Sequence, residues 1–129
     1  TMKIFASDVN PEALDAAKKN AETAGISSFI EFTLNDFEQT VIPPGGGVII
    51  INPEYGMRMG EESALEDTYR RIGNFFKNKC QGYRGYVFTG NTTLAGKIGL
   101  KSGRKIPFQS GKIECRLYEY ELYRGTKNG

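Results

Sequence analysis

The chain has 129 residues, of which 39% are apolar and 25% charged, with seven Tyr and eight Phe. That is one domain's worth of sequence with apolar material for a single core, which excludes wholesale disorder. No apolar run approaches the ~20 residues of a membrane span, histidine is absent, and the two cysteines, Cys80 and Cys115, lack CxxC spacing. These absences exclude histidine-based triads, the common zinc sites and a disulfide scaffold, so the expectation is a cytoplasmic protein with no membrane and no metal. The net charge of +2 hides a gradient, with 4 Lys/Arg against 12 Asp/Glu in residues 1–67 and 13 against 3 in residues 68–129. The basic half has the charge to meet a phosphate backbone, although an ordinary solvated face has the same composition.

In chain order, Ile4-Phe5-Ala6 is a short apolar run that ends at Ser7-Asp8. Asn10 then reads as an N-cap, Pro11 as the first helical residue, and Leu14, Ala17, Ala21 and Ala24 follow at helical spacing up to Gly25. Phe29 to Leu34 alternates as a strand and ends at Asn35-Asp36. After a Pro43–Gly47 turn, Val48-Ile49-Ile50-Ile51 has the composition of a strand buried on both faces, and it stops at Asn52-Pro53. A helix is predicted over 61–79, with Leu65, Tyr69, Ile72 and Phe76 on one face, acidic first turns and basic last turns. The remaining predictions are a strand over 85–89, a short helix over 93–98, a weak strand over 105–108, a turn at Gln109-Ser110-Gly111 and a long strand over 113–122. Alternation of strand and helix, closed by a hairpin, predicts an α/β doubly wound sheet that is mostly parallel, with one antiparallel strand near the C-terminus.

Ligands of such sheets bind beyond the carboxyl ends of the strands. Asp8, at the first of these ends, has the carboxylate that takes both hydroxyls of a ribose, a solution shared by nicotinamide and S-adenosylmethionine enzymes; it is equally ordinary turn chemistry. Asp36 is placed to accept from an adenine amine. The run Gly45-Gly46-Gly47 precedes a strand instead of following one, so it reads as a turn and not a phosphate loop. Asn52-Pro53-Glu54-Tyr55 is more specific. The Asn52 side-chain oxygen and the Pro53 carbonyl together offer two acceptors on a rigid turn, and Tyr55 offers a stacking surface. Two acceptors holding both N–H bonds of a conjugated amine out of plane localise its lone pair for attack on a methyl donor, without a histidine base.

These residues resemble a known family. Asn-Pro-x-Tyr after the central strand, extended through Gly56, Arg58 and Gly60, then Thr89-Gly90-Asn91 and Ile113-Glu114-Cys115-Arg116-Leu117, is similar to the catalytic domain of the THUMP-linked ribosomal RNA guanine-N2 methyltransferases. The resemblance runs from Ile4 to about Leu122. It implies a partial Rossmann-like methyltransferase sheet, S-adenosyl-L-methionine as cofactor and ribosomal RNA as partner. It implies that Asp8 binds the cofactor ribose, Val9 packs on its adenine and Asp36 binds the adenine amine, while Asn52, Pro53 and Tyr55 form the catalytic motif, with Asn52 also beside the cofactor. Arg58, Lys97, Lys101, Arg104 and Lys105 become candidates for RNA contact, against a solvated surface as the alternative.

The sequence departs from the family at Glu54, where a second proline is usual. The family's first strand and glycine-rich loop are also missing, a strand that lies between those corresponding to 4–8 and 48–51. The expectation is therefore an incomplete catalytic domain, without the family's upstream cofactor loop and RNA-binding module, that alone binds cofactor weakly or not at all and self-associates through exposed sheet edges. The alternatives are a non-catalytic RNA- or protein-binding remnant, or an amino-methyltransferase for adenine or a protein amide. Cys80 and Cys115 read as small core residues, and Tyr118, Tyr120 and Tyr123 as packing on a terminal strand.

Overall fold

The computed structural model describes residues 4–53, 61–111 and 113–123, and for 61, 62, 110 and 113 the backbone only. The chain divides into two compact units, Thr1–Val41 and Ile42–Gly129.

The first unit holds β1 (Ile4–Asp8), α1 (Pro11–Thr23) and β2 (Ile30–Leu34). The two strands are parallel, with Ile4 opposite Ile30 and Asp8 opposite Leu34. The Asn10 side chain accepts from the N–H groups of Glu12 at 2.9 Å and Ala13 at 3.4 Å, and Pro11 opens the helix where its missing N–H costs nothing. Phe29 closes a short 3-10 turn ahead of β2 and does not belong to the strand. Of the expected apolar stripe, Leu14 and Ala21 are buried while Ala17 and Ala24 are exposed, because two strands give a helix only a narrow surface to cover.

The second unit holds β3 (Val48–Ile51), α2 (Glu61–Lys79), β4 (Arg84–Thr89), α3 (Thr92–Gly96), β5 (Lys105–Ser110) and β6 (Ile113–Glu121). Its sheet has the order β3-β4-β6-β5. β3 is parallel to β4, and β6 is antiparallel to both β4 and β5, so one strand runs against the rest as predicted. The terminal hairpin is tighter than expected: Ser110 pairs with Ile113, and Gly111 adopts φ 61°. A positive φ at that position is what a tight hairpin demands. Tyr69, Ile72, Phe75 and Phe76 of α2 are buried with Val87, Tyr118 and Tyr120 of the sheet. The Phe76 and Tyr120 rings meet at a centroid distance of 6.0 Å.

The described strands form two sheets, β1-β2 and β3-β4-β6-β5, consistent with a partial sheet that lacks a central strand. One expectation changes. β3, expected to be buried on both faces, leaves Val48 62% and Ile50 68% exposed. The reason is register. Ile49 lies opposite Gly85, on the face that Phe76 of α2 covers, whereas Val48 and Ile50 lie on the opposite face of an edge strand.

The units differ in how much they bury. In the first, Leu14 and Ala21 are the buried apolar residues among those described, while Ile4, Phe5 and Leu34 are 40–55% exposed. A segment that hides so little apolar surface opens locally at small cost, and the α2–sheet core of the second unit does not. Hydrogen exchange on this chain is expected to protect the amides of Tyr69, Val87 and Tyr120 by orders of magnitude more than those of β1 and β2. Equal protection in the two units would contradict this.

Candidate active site

In the first unit the polar residues gather at the carboxyl ends of β1 and β2. Asp8 is exposed at the end of β1, and its carboxylate Oδ1 accepts from the Asn10 N–H at 2.8 Å. The chain after β2 continues alongside it, because the Asn35 N–H donates to the Asp8 carbonyl at 3.1 Å. Val9 is 67% exposed, an apolar side chain held in water beside that carboxylate. Asp36 caps the 3-10 turn Phe37–Gln39, its Oδ1 accepting from the Glu38 N–H at 3.1 Å. Asp8, Val9 and Asp36 thus share one sheet end. Asn35 joins them with a feature the sequence does not reveal: its side-chain oxygen is buried and has no hydrogen-bond partner. Only its place at a strand end, between apolar Leu34 and Asp36, marked it.

In the second unit Asn52, exposed, and Pro53, half-buried, follow directly on β3. Ile51 pairs with Val87, so Asn52 leaves the sheet beside the last two residues of β4. That neighbouring end is firmly built. Thr89 is 1% exposed, its hydroxyl shares a 2.8 Å hydrogen bond with the Tyr69 hydroxyl of α2, and its Oγ1 accepts from the Asn91 N–H at 3.2 Å. The Asn91 side chain in turn accepts from the Leu94 N–H at 2.9 Å and caps α3. The Thr89-Gly90-Asn91 motif therefore fixes the turn next to Asn52, a role that a run of three polar or small residues does not announce by itself. Tyr55 and Arg58, like Glu54, lie outside the described residues.

The basic candidates separate into two kinds. Lys97 Nζ lies 3.8 Å from Glu66 Oε1. The Arg104 guanidinium grips Glu119 with two hydrogen bonds of 3.0 and 2.9 Å, and the Tyr86 hydroxyl donates to the same carboxylate at 2.6 Å. Arg104 is thus engaged in pinning the start of β5 to β6. Lys101 and Lys105 are exposed, with no ion pair among the described residues. The Arg104 guanidinium first, and then the Tyr86 hydroxyl, hold the Glu119 carboxyl down at about 2. A depressed carboxylate contributes stability above its unfolded value of ~4.3 and loses that contribution as the pH falls toward its folded value. Glu119→Gln is expected to flatten the pH dependence of stability between roughly pH 5 and 2, as measured by urea midpoints. An unchanged slope would contradict the role given to Arg104.

Burial pushes the Cys80 thiol up to about 12, as befits a small core residue with no thiolate chemistry. Tyr118 and Tyr120 are buried packing residues, and Tyr123 is 46% exposed. No helix among the described residues is long and apolar enough to cross a membrane, and no group of three or more His, Cys, Asp or Glu there could hold a metal.

Comparison with known proteins assigns the chain to one family. Residues 1–119 match the UPF0020 model, described as the RMKL-like methyltransferase domain. A Synechocystis protein named "Putative RNA methyltransferase slr0064" is 38% identical over 93% of this chain and 31% of its own length. The ribosomal RNA large subunit methyltransferase K/L of Shewanella frigidimarina is 31% identical over 97% of this chain and 18% of its own length. The crystal structure of a Clostridium difficile 630 protein, described as "a possible methylase", superposes with a TM-score of 0.86 at 27% identity, covering 99% of this chain and 34% of that one. The chain therefore spans less than a third of the length of the curated relatives it matches. Its fold is the α/β methyltransferase fold, and the chain belongs to the RMKL-like methyltransferase domain family.

Proposed function

We propose that this chain is the catalytic part of an S-adenosylmethionine-dependent RNA methyltransferase that methylates the exocyclic N2 amine of a guanine in ribosomal RNA, and that it acts in the cytoplasm. The observation that carries the reading is Asn52-Pro53 leaving the sheet at the end of β3, beside the anchored turn that follows β4. Relatives named as RNA methyltransferases support the reaction class and the substrate class.

The first unit fits the adenosyl part of the cofactor. Asp8 has an exposed carboxylate at a strand end for the two ribose hydroxyls, Val9 an exposed apolar surface for the base, and Asp36 a carboxylate for the adenine amine. When bound, S-adenosylmethionine supplies an electrophilic methyl group on a sulfonium. The chain's own task is to present the target nitrogen. A guanine N2 amine is a poor nucleophile because its lone pair is delocalised into the ring. The Asn52 side-chain oxygen accepts one N–H and the Pro53 carbonyl the other, which turns the lone pair out of conjugation, and Tyr55 stacks on the base to hold its plane. The exposed Lys101 and Lys105 contact RNA phosphates.

The test is transfer of a radiolabelled methyl group to ribosomal RNA by the protein carrying the flanking sequence of its relatives, followed by nucleoside analysis. N2-methylguanosine is the expected product. N6-methyladenosine would move the target to adenine, and RNA binding that weakens with salt but yields no methylated nucleoside would leave a binding remnant on this fold.

A further inference from the structure

We infer that Arg116 is a substrate-binding residue, its guanidinium gripping a phosphate of the RNA on the β6 side of Asn52. The inference rests on the RNA methyltransferase reading above and concerns a residue outside the basic cluster at 97–105. It starts from the order of groups along one end of the sheet. β3 runs out at Ile51, so Asn52 stands beside the end of β4 at Thr89, and Arg116 of β6 lies directly opposite Thr89 in the antiparallel ladder. Residues directly opposite on such a ladder share a face. Thr89 turns toward α2, where it meets the Tyr69 hydroxyl, so Arg116 rises on that face at the same end. β6 is two strands from β3, roughly 10 Å at the usual strand spacing of ~4.8 Å. An arginine at that distance is placed for the sugar–phosphate chain of a nucleotide whose base edge is held at Asn52 and Pro53.

The charge of this arginine is not used by the fold. Arg70, Arg84 and Arg104 have acidic partners at 3.4, 3.9 and 2.9 Å, in Glu66, Glu121 and Glu119. The Arg116 side chain has no hydrogen bond or ion pair among the described residues, and Glu114, two residues earlier on the same face, is exposed and forms no ion pair with it. Arg116 is half-buried, yet none of its nitrogens is sealed from solvent, the Asn35 oxygen being the buried atom that lacks a partner among the described residues. A guanidinium partly stripped of water and left without a counter-charge is unfavourable, unlike the solvated ammonium groups of Lys101 and Lys105. A phosphate supplies both the missing charge and two oxygens for the planar fork.

The experiment measures binding to unmodified ribosomal RNA, transcribed in vitro, over a range of salt concentrations, on the protein with the flanking sequence of its relatives. Wild type, Arg116→Gln and Arg116→Lys are compared. Arg116→Gln is expected to bind the RNA roughly tenfold more weakly at low salt, the size of one lost charged contact. It is also expected to reduce the slope of log affinity against log salt by about one. Arg116→Lys should keep the wild-type slope and bind severalfold more weakly, because the charge remains and the fork is gone. Affinity for S-adenosylhomocysteine should be unchanged in both variants. An Arg116→Gln slope equal to that of wild type would overturn the assignment and leave the arginine as a packing stem. A lysine variant that loses as much slope as the glutamine variant, or that binds as tightly as wild type, would overturn it too. A parallel loss of S-adenosylhomocysteine affinity would mean a disturbed fold and would count against it equally. If wild-type affinity for the RNA is absent or ignores salt, the RNA reading itself falls, and Arg116 with it. A salt-dependent wild type matched by both variants leaves the RNA reading standing and removes Arg116 from it.

Discussion

Asn52→Ala is expected to lower kcat for methyl transfer by about 10²–10³, the effect of deleting one preorganised hydrogen-bonding partner of a reacting group. Cofactor affinity should change by roughly tenfold at most, the size of one lost hydrogen bond. The separation follows from where Asn52 sits. It is exposed at the end of β3, held on one side by the β3–β4 ladder and on the other by Pro53. Alanine there disturbs no buried contact, so folding is unaffected and the loss lies in the orientation of the amine. Single-turnover rates with saturating cofactor measure the effect. A variant with nearly wild-type turnover would remove Asn52 from the chemistry, and one that lost cofactor binding to the same extent as rate would make it a binding residue.

Gly73→Ala is expected to destabilise the second unit by about 3 kcal/mol, toward the upper end of what overpacking costs. The direction is opposite to that of helix propensity, by which alanine at an open interior helix position gains up to ~1 kcal/mol over glycine. Gly73 lies inside α2 and is buried, and a Cβ placed on it would come within 1.8 Å of the Ile98 carbonyl oxygen. That neighbour is backbone, so relief requires moving the segment after α3 or tilting α2, whose Ile72 and Phe76 are fully buried. Because Thr89 is bonded to Tyr69 on the same helix, the displacement reaches the turn beside Asn52. Chemical denaturation measures the cost. A variant as stable as wild type would show that α2 and the segment at Ile98 are not packed backbone to backbone.

Much of the fold is legible in the sequence because its signals are local. Asn10-Pro11 caps α1, the acidic-to-basic gradient and apolar spacing over about 61–79 give α2, and the β-branched run gives β3. What escapes the sequence is set by partners distant along the chain. The exposure of Val48 and Ile50 depends on β3 being an edge, and Phe75 joins the core because α2 buries a wider stripe than its 3–4 spacing indicates. The proposed functional residues Asp8, Asp36 and Asn52 stand at strand ends, where α/β folds keep their ligands, and strand ends are readable. The unfilled acceptor of Asn35, the Tyr69–Thr89 pair and the capture of Arg104 by Glu119 are not. The last two are contacts between residues whose types are common on any surface. Arg104 shows the consequence most plainly, since its two hydrogen bonds to Glu119 cannot be read from a basic cluster counted in the sequence.

The most direct test of the account is a calorimetric titration of S-adenosylmethionine into the protein carrying its relatives' flanking sequence, beside the same protein with Asp8→Ala. The account predicts saturable binding by the first and at least tenfold weaker binding by the second, since the carboxylate takes both ribose hydroxyls through charge-assisted hydrogen bonds. Absence of binding by the wild-type protein, or equal binding by the two, would contradict it.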